Sequence, residues 1–473
     1  LVELHRARDR LGLVASGDLV GEPQPITRPV KFYEKGDRPV EIITSRQWFI
    51  RTLDHREELI ERGREIHWHP PYMRARYEDW VNGLNTDWCA SRQRFFGVPF
   101  PVWYPLDGEG RILHDQPIAA APDELPVDPS TDVPDGYDAG QRGVPGGFVA
   151  DPDVMDTWAT SSLTPQIAGR AGDDEELYRR VFPMDLRPQA HDIIRTWLFT
   201  TVLRSQLDEL VLPWRNAAIS GWVLDPDRKK MSKSQGNVVT PMHLIEEHGA
   251  DAVRYWAASG RPGTDTAFDT QQMKVGRRLA VKILNASKFA LADLPAPGAT
   301  LDHPLDRALV RRLAGVVAAA TECFDEYDYA RALERAETFF WWYCDYYLEL
   351  VKGRRYAREP GAAASVSRAL QLSLSTLQRL FAPFLPFVCE EVWSWWQEGS
   401  IHRAPWPDAA ELRDAAGEET GVREEEALTV AGEVLHAVRK AKSDARRPMR
   451  WPVARLVVTD TGERIDALSL AQD

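Results

Sequence analysis

The sequence has 473 residues, of which 44% are hydrophobic, and a formal net charge of -13 at pH 7. It contains no apolar run of about 18 residues, which argues against a membrane span, and its four cysteines lack Cys-x-x-Cys pairing, which argues against a disulfide framework or a zinc site. We therefore expect a cytoplasmic globular protein of about two or three domains. The negative net charge does not exclude RNA binding, because RNA binding depends on local basic patches and not on the net charge of the chain.

The first part of the chain is predicted to contain the end of one domain and the beginning of another. Residues 1–45 combine a short helical run, Leu4 to Leu13, with the strand-like segment Pro29 to Tyr33. Residues 47–103 change from a helical to a strand-like pattern, and residues 104–152 are dense in proline, glycine and aspartate. That composition predicts a long surface insertion.

A parallel α/β sheet is predicted for residues 153–260, where apolar strand patterns alternate with amphipathic helices. Ala217 to Leu224 has the pattern of a buried strand. Farther on, one helix is expected to begin with Thr240 as its N-cap and Pro241 in its first turn, and another at Asp251.

The segment Lys230-Met231-Ser232-Lys233-Ser234 has the composition of a phosphate-binding loop. Its lysines supply compact, mobile positive charge, while the serines and the nearby Gly236 let the backbone approach a polyphosphate closely. A solvated lysine-rich loop is the alternative interpretation. The chemistry favours a loop that handles nucleotides.

Beyond about residue 272 the periodicity is helical. Lys274, Arg277 and Arg278 project away from the apolar face of the first helix, either to contact phosphates or as a solvated basic face. The aromatic run Phe339 to Tyr347 is predicted to be mostly bundle core, with room for one ring to stack on a base.

The acidic stretch from Asp408 to Glu426 is predicted to be a hydrophilic linker. The densest positive charge in the chain follows it, in a segment that suits contacts with a nucleic-acid backbone or is a solvated helix. This basic segment contains Arg439, Lys440, Lys442, Arg446, Arg447 and Arg450.

The lysine loop and its flanking segments resemble class I aminoacyl-tRNA synthetases. Lys230 to Ser234 matches the second signature of that family letter for letter, and similarity extends over Asp87 to Gln93, Asp153 to Ser162 and Ala190 to Trp197. The Asp156-Thr157-Trp158 form is similar to the valyl branch of the family. The resemblance covers essentially the whole chain and implies an α/β Rossmann-like catalytic half followed by an all-α helical-bundle anticodon-binding domain.

The resemblance also implies the chemistry, which is ATP-dependent adenylation of valine and its transfer to tRNA(Val). Mg²⁺ is expected to be held mainly by the ATP phosphates, and no protein-bound zinc is expected. Lys230 and Lys233 are expected to neutralise charge on the leaving pyrophosphate, and Trp158 and Trp197, with Asp192, to line the amino-acid pocket, although either tryptophan could instead be core packing. The remaining residues expected to bind ATP are Met231, Ser232, Ser234, His191 and Asp192.

The same resemblance divides the chain into domains. We expect residues 1–45 to end an editing insertion, residues 46–271 to form the later part of the catalytic domain, residues 272–407 to form the anticodon-binding domain, and residues 408–473 to form the linker and a basic tRNA-contact segment. Within the catalytic part, residues 104–152 are the expected insertion and residues 225–271 the expected signature-loop region.

The first signature of the family, His-x-Gly-His, does not occur in these 473 residues. We therefore expect a fragment, monomeric, whose site is completed by the amino-terminal half of the same enzyme. Three interpretations stay open, namely the carboxy-terminal portion of a ligase that is inactive alone, a tRNA-binding module without catalysis, and a truncated product without function. Isoleucyl-type specificity is the alternative to valyl.

Overall fold

The computed structural model describes residues 29–32, 36, 38–40, 44–231, 236–356, 360–417 and 421–471, together with residue 16. Leu4 to Leu13 and Ser232 to Ser234 lie outside the described residues, and the predicted strand near Pro29 is represented by a bridge between Phe32 and Pro39. Within these ranges the strands are β1 Phe49–Ile50, β2 His67–His69, β3 Trp88–Cys89, β4 Ser91–Arg92, β5 Val102–Pro105, β6 Ile118–Ala119, β7 Phe148–Ala150, β8 Val154–Met155, β9 Met184–Ala190, β10 Trp214–Ser220, β11 Val223–Leu224 and β12 Thr266–Ala267.

Helices occupy most of the rest of the described chain. Two π-helical segments, Ile194–Leu198 and Tyr343–Tyr347, adjoin α-helices. In the described ranges the α-helices are α1 Arg56–Glu65, α2 Met73–Asn82, α3 Thr157–Ser161, α4 Thr164–Ala168, α5 Glu175–Val181, α6 Phe199–Asp208, α7 Met242–His248, α8 Ala250–Ala258, α9 Thr270–Leu291, α10 Pro304–Asp325, α11 Tyr329–Trp342, α12 Leu348–Leu350, α13 Lys352–Arg355, α14 Pro360–Phe381, α15 Pro386–Trp393, α16 Ala409–Ala416, α17 Val422–Asp444 and α18 Gly462–Leu468.

A three-stranded parallel sheet forms the centre of the first half, in the order β2-β10-β9. In its register Ala217 of β10 lies beside Trp68 of β2 and Arg187 of β9. The connection from β9 to β10 runs through a π-helix and α6, because parallel neighbours need a crossover. The alternation of strands and helices predicted for residues 153–260 is present here.

Helices α1, α2 and α6 supply the apolar core that covers this sheet. Phe199, Val202 and Leu203 of α6 are buried, and their spacing of three and four residues places them on one helical face. Leu198, just before α6, is fully buried. Burial of such a side chain stabilises the fold by about 1.5–3 kcal/mol.

A small antiparallel sheet, in the order β6-β5-β7, gives the proline- and glycine-rich segment a local core. Trp103 and Phe148 are buried there, and the Trp103 indole N–H donates a hydrogen bond to the Pro129 carbonyl at 3.1 Å. Strand β5 of this unit begins at Val102. The bounds 104–152 for the insertion stay a prediction.

The stretch Ala217 to Leu224 is divided into two strands, not the single strand predicted. Strand β10 ends at Ser220, and β11 pairs with β12 instead. At Gly221 a side chain is excluded because a Cβ would lie 2.1 Å from the carbonyl oxygen of Thr264. The close approach turns the chain and leaves Trp222 at the carboxyl edge of the sheet. Helix α7 likewise begins one residue after Pro241, so Pro241 precedes the helix and is not part of its first turn.

The chain from Thr270 onward forms a helical bundle around a second apolar core. Helix α10 packs against α11, α14, α16 and α17. Phe339, Phe340, Tyr343 and Tyr347 are buried, whereas Trp341 is only partly buried. The aromatic run is therefore mostly core, as predicted.

Asp306 is the centre of a buried polar network in this bundle. Its carboxylate accepts two hydrogen bonds from Arg354, both at 2.8 Å, and one each from the hydroxyls of Tyr347 and Ser365, both at 2.7 Å. Asp306 is 0% exposed and Arg354 is 5% exposed. The network ties the first turn of α10 to α13, α14 and the second π-helix.

The predicted linker from Asp408 to Glu426 is wrong, because much of this stretch is helical. Asp408 caps α16 by accepting a hydrogen bond from the backbone N–H of Ala410 at 2.8 Å. Leu412 and Ala416, four residues apart, are buried on the face of α16 that packs against α10. The acidic composition concealed this narrow apolar stripe.

Among the described helices, none combines the length and the apolar character that crossing a membrane requires. Cys89, Cys323, Cys344 and Cys389 are free thiols. Among the same residues no group of three or more histidine, cysteine, aspartate or glutamate side chains is placed to hold a metal ion. The expectation that the protein binds no zinc stays a prediction.

Candidate functional site

The ends of β9 and β10 bring polar side chains to one edge of the parallel sheet. His191 and Asp192 follow β9 directly, and Trp222 follows β10 after the turn at Gly221. Lys230 returns to this place through a bridge with Leu224 of β11. Ligands of open α/β sheets bind in the crevice at the carboxyl ends of the strands, so this edge is the candidate site.

Five residues here form what we call the signature cluster, namely His191, Asp192, Trp222, Lys230 and Asp265. The Lys230 Nζ lies 3.4 Å from the Asp192 carboxylate and 4.2 Å from the centre of the Trp222 indole. The Trp222 ring packs against His191, with 4.6 Å between the ring centres. Because the Lys230 side chain is 49% exposed, its ammonium group remains accessible to an anionic ligand.

Asp265 fixes the other side of the signature cluster. Its carboxylate accepts a hydrogen bond from the backbone N–H of Trp222 at 2.8 Å and lies 3.6 Å from Nε2 of His191. Arg76 donates to Nδ1 of His191 at 3.2 Å, and arginine can only donate. In the neutral ring Nε2 therefore carries the hydrogen and faces Asp265, which orients the buried imidazole.

The structure brings together His191, Asp192 and Lys230, with Met231 adjacent. Ser232, Lys233 and Ser234 lie outside the described residues. Trp222 and Asp265 were not predicted as site residues. Trp222 lies within the predicted strand Ala217 to Leu224, and Asp265 is distant in sequence from both His191 and Lys230. The one signal for Trp222 was that this strand pattern comes shortly before the lysine loop.

Asp225 connects the residues before and after the signature loop, which is the lysine loop Lys230 to Ser234. Its carboxylate accepts hydrogen bonds from the backbone N–H of Lys229 and from the side-chain amide of Asn237, both at 2.8 Å. The same amide nitrogen of Asn237 donates to the Lys230 carbonyl at 3.2 Å. The backbone bond from Lys229, followed by the bond from Asn237, lowers the pKa of Asp225 below its ordinary value.

Replacing Asp225 with alanine is expected to speed amide hydrogen exchange in residues 226–231 and 236–239 about tenfold, because two bonds to a charged acceptor are lost. Since the folded pKa is lowered, the ionised carboxylate stabilises the loop at and above ordinary carboxyl pKa values. That contribution is lost only as the pH falls through the lowered pKa. Asp227→Ala, in the same turn and exposed, is the control. Equal exchange in both variants would show that Asp225 does not hold the loop.

Trp158 and Trp197 lie on adjoining elements beside the sheet. Trp158 is in α3, which begins after Asp156, and the Asp156 carboxylate accepts a hydrogen bond from the Trp158 backbone N–H at 3.2 Å. The Trp197 indole donates to the Ser161 carbonyl at 3.1 Å, and the Thr200 hydroxyl lies 3.4 Å from the carbonyls of both tryptophans. Both rings are half-buried, as walls of a small apolar slot would be.

Arg187 is a charged residue beside Trp197 that the sequence did not single out. It is 8% exposed, and its guanidinium lies over the Trp197 ring. Burial lowers its pKa to about 9. Within the described residues its Nε and Nη2 atoms have no hydrogen-bond partner. Arg187 lies on β9, the strand that leads to His191, so the sheet places its guanidinium against the Trp197 ring.

Lys274, Arg277 and Arg278 lie together on the exposed side of α9, where they line a groove. Arg277 donates a hydrogen bond to the Glu247 carbonyl at the end of α7, at 3.1 Å. The helix and its basic side are therefore as the sequence predicted. Contact with RNA at this groove stays a prediction.

The basic segment of the carboxy-terminal region is partly used in contacts within the protein. Arg439 donates to the Asp345 carbonyl and lies 3.5 Å from the Glu349 carboxylate. Lys442 donates to the Met449 carbonyl at 2.9 Å, and the Arg447 guanidinium lies 4.7 Å from the centre of the Trp451 ring. Lys440 and Arg446 are exposed. Their role in RNA binding stays a prediction.

Comparison with family models gives two matches along the chain. Residues 30–269 match the model described as tRNA synthetases class I (I, L, M and V). Residues 306–458 match the model described as the anticodon-binding domain of tRNA ligase. The first match contains the parallel sheet and the signature cluster, and the second contains most of the helical bundle.

Close relatives among curated proteins are similar over nearly the whole chain. A protein of Thermobifida fusca named valine–tRNA ligase is 60% identical over 99% of this chain and 54% of its own length. A protein of Salinispora arenicola with the same name is 60% identical over 97% of this chain and 56% of its own length. The chain spans about half the length of the curated relatives it matches.

Solved structures support the fold at lower identity. A LeuRS–tRNA–LeuAMS ternary complex from Agrobacterium radiobacter K84 has a TM-score of 0.54 at 23% identity, covering 70% of this chain and 43% of that chain. A Mycobacterium tuberculosis methionyl-tRNA synthetase with methionyl-adenylate has a TM-score of 0.56 at 20% identity, covering 77% of this chain and 65% of that chain. The predicted α/β half followed by a helical anticodon-binding domain is confirmed.

Proposed function

The chain belongs to the class I tRNA synthetases of the I, L, M and V group, and on that premise we propose that it supplies the signature-loop half of the catalytic site of a valine–tRNA ligase. The name carried by relatives at 60% identity supports valine as the amino acid. Because the chain spans about half the length of those relatives, we assign the activity to the native gene product that carries these residues.

The observation that carries this proposal is the position of Lys230. The first residue of the signature loop lies 3.4 Å from Asp192 and over Trp222, at the carboxyl edge of the parallel sheet. A half-exposed ammonium group at that edge can exchange its carboxylate partner for a phosphate oxygen. This is the charge that a reaction releasing pyrophosphate needs.

In the proposed reaction the valine carboxylate attacks the α-phosphorus of ATP, and pyrophosphate leaves. Two anions must be brought together and the charge on the leaving group neutralised, so positioning and electrostatics dominate the catalysis. We assign that neutralisation to Lys230 and Lys233, with Met231, Ser232 and Ser234 completing the loop around ATP. His191 and Asp192 would orient the nucleotide and the amino acid.

Mg²⁺ bound to the ATP phosphates would supply further neutralisation of their charge. The residues of this chain that face the phosphates in the proposal are lysines, which suits a metal carried by the nucleotide better than one carried by the protein. The Lys230 ammonium would then bind whichever phosphate oxygens the metal leaves free.

tRNA(Val) is the proposed acceptor, and the helical bundle is the proposed site of its docking. The match to an anticodon-binding domain supports this, as does the basic side of α9. We propose Lys274, Arg277 and Arg278, followed by Arg439, Lys440, Lys442, Arg446 and Arg447, as contacts with RNA phosphates. A monomer acting in the cytoplasm fits this function.

Trp158 and Trp197 are proposed to select valine by closing the slot to longer side chains. Replacing Trp158 with alanine is expected to lower the valine-over-isoleucine ratio of kcat/KM about 10- to 100-fold. The two amino acids differ by one methylene, and a pocket that excludes one methylene discriminates by about this factor. Amino-acid-dependent ATP–pyrophosphate exchange with each substrate measures the ratio.

Trp197→Phe is the matched control for the slot, since it keeps a ring and removes the indole N–H, which donates to the Ser161 carbonyl and lies 3.4 Å from the Thr164 hydroxyl. It should leave the ratio within a few-fold of the native value. An equal loss of exchange with valine and isoleucine in Trp158→Ala would assign Trp158 to core packing instead.

The function itself is tested by ATP–pyrophosphate exchange with a panel of amino acids. The native gene product should exchange with valine far faster than with isoleucine, leucine or methionine. Preference for isoleucine would assign an isoleucyl-type enzyme. Binding of tRNA without exchange for any amino acid would leave a tRNA-binding module.

A further inference from the structure

Asp156 is a buried carboxylate that joins the slot between Trp158 and Trp197 to the strands beside it. The residue is 4% exposed and directly precedes α3, the helix that carries Trp158. One of its oxygens accepts a hydrogen bond from the Trp158 backbone N–H at 3.2 Å, and the other accepts from Arg92 at 2.7 Å and from the Trp88 indole at 3.1 Å. A single side chain therefore connects the start of α3 to β3 and β4.

Arg92 is oriented by contacts of its own. Its Nη1 donates to the carbonyls of Cys89 and Ser91 at 2.7 and 2.8 Å, while its Nη2 binds the Asp156 carboxylate. The Arg92 side chain is 36% exposed, so the ion pair lies at the edge of the core and not in open solvent. A planar guanidinium with three acceptors has little freedom to turn, and it fixes the position of the carboxylate that it binds.

The backbone ties the same two segments together. Arg92 lies beside Val154 in the antiparallel pair of β4 and β8. The backbone N–H of Asp156 then donates to the Ala90 carbonyl at 2.7 Å. The segment that enters α3 is thus attached up to Asp156, and Trp158 is only two residues farther along.

Helix α3 depends on attachments at both of its ends. It has five residues, which is too few for a stable helix without tertiary contacts. At its far end the Arg204 guanidinium donates to the Ser162 hydroxyl at 2.7 Å, which attaches α3 to α6. At its start the Asp156 carboxylate supplies the cap. Trp158 is the second residue of α3, so this cap acts directly on the residue that carries the ring.

We propose that Asp156 and Arg92 are positioning residues that set the width of the amino-acid slot by fixing Trp158. They act through Trp158 and not on the reacting atoms. The inference rests on the proposed function, because it takes Trp158 as a wall of the valine slot. A wall that moves outward admits the extra methylene of isoleucine. The same movement does not separate valine from threonine, because an apolar slot hardly distinguishes side chains of the same shape.

The test is ATP–pyrophosphate exchange by the native gene product with valine, isoleucine and threonine. Asp156→Ala is expected to lower the valine-over-isoleucine ratio of kcat/KM about 3- to 10-fold, because α3 loses its cap and a charged acceptor while the ring stays. The valine-over-threonine ratio should stay within about twofold of the native value. A misfolded fraction would lower all three rates equally and leave both ratios unchanged.

Asp156→Asn separates the cap from the ion pair. Asparagine is as good an N-cap as aspartate, so the Trp158 N–H keeps an acceptor while the charge opposite Arg92 is lost. The valine-over-isoleucine ratio should fall, but by less than in Asp156→Ala. Arg92→Met should have a similar effect, and the double variant should be no worse than either single one, because the two groups form one pair. These variants decide the question if Asp156→Ala does not fold.

Asp153→Asn is the matched control. Asp153 lies in the same segment as Asp156, and its carboxylate accepts a hydrogen bond from Gln93, the neighbour of Arg92, at 2.8 Å. This bond joins the same two segments, but it is exposed and does not cap α3. Asp153→Asn should therefore leave both ratios at their native values.

An unchanged valine-over-isoleucine ratio in Asp156→Ala, Asp156→Asn and Arg92→Met would overturn the inference, as would an equal fall in Asp153→Asn. Amide hydrogen exchange in residues 157–161 needs no substrate, and it should be faster in Asp156→Ala than in Asp153→Asn. Equal hydrogen exchange in these two variants would show that Asp156 does not fix α3. Native ATP–pyrophosphate exchange with unaltered ratios would refute the inference alone, whereas no such exchange with any amino acid would refute the ligase.

Discussion

Replacing Lys230 with alanine is expected to lower the rate of valine adenylation about 100-fold, while the dissociation constant for ATP changes only a few-fold. The reason is that charge accumulates on the pyrophosphate as it leaves, so a fixed ammonium group stabilises the transition state more than bound ATP. The structure supports this role for Lys230, whose Nζ is half-exposed between Asp192 and Trp222. Single-turnover adenylation at saturating ATP measures the effect.

Lys229→Ala is the matched control for this prediction, because Lys229 is the exposed neighbour and contacts Asp225 through its backbone. It should adenylate valine at nearly the native rate. An equal loss of ATP affinity and rate in Lys230→Ala would show that the residue binds ground state and transition state alike. Lys233→Ala is expected to resemble Lys230→Ala, a prediction that rests on the signature motif alone.

Replacing Asp306 with alanine is expected to lower the free energy of unfolding of the helical bundle by about 3–5 kcal/mol. The substitution leaves the Arg354 guanidinium buried without its carboxylate, and removal of one partner of a buried ion pair costs this much. The hydroxyls of Tyr347 and Ser365 lose their acceptor as well. Urea denaturation followed by circular dichroism at the helical wavelength measures the change.

Lys352→Ala provides the comparison for Asp306→Ala. Lys352 lies two residues before Arg354 and pairs with Glu349 at 2.6 Å, but its side chain is 47% exposed. Exposed pairs contribute about 0–1 kcal/mol, so this variant should unfold almost as the native protein does. If both variants unfolded at the same urea concentration, the Asp306 network would not be what joins α10 to α13 and α14.

Local patterns in the sequence were enough to predict the classes of element. The alternation in residues 153–260 predicted the parallel sheet, and helical periodicity after about residue 272 predicted the bundle. The linker prediction at residues 408–426 failed because two apolar residues, Leu412 and Ala416, were sufficient to dock α16. Composition averages over such a stripe and hides it.

The candidate site was only partly predictable, because its contacts join residues distant in the chain. Lys230 was identified by its motif, but its contact with Trp222 depends on the turn that Gly221 makes against Thr264. Asp265 reaches His191 only because β12 pairs beside β11. The spacing of residues in one sequence does not predict contacts between segments that are far apart in the chain. A motif such as Lys230 to Ser234 is a continuous run of residues, so it is identified directly in the sequence.

Arg439 shows the same limit for the basic segment. Charge density predicted that it contacts RNA, which stays a prediction, but did not predict that Arg439 pairs with Glu349 and the Asp345 carbonyl. Its partners come from the middle of the second π-helix and from α12, which pack beside α17. Lys440, exposed next to it, keeps the predicted freedom to reach a phosphate.

The most direct test of the proposed function is the charging of total tRNA with radiolabelled valine by the native gene product that carries these residues. We expect valine to be attached, the labelled species to be tRNA(Val), and Lys230→Ala to reduce the initial rate about 100-fold. Attachment of isoleucine in place of valine, or charging at the native rate by Lys230→Ala, would contradict it.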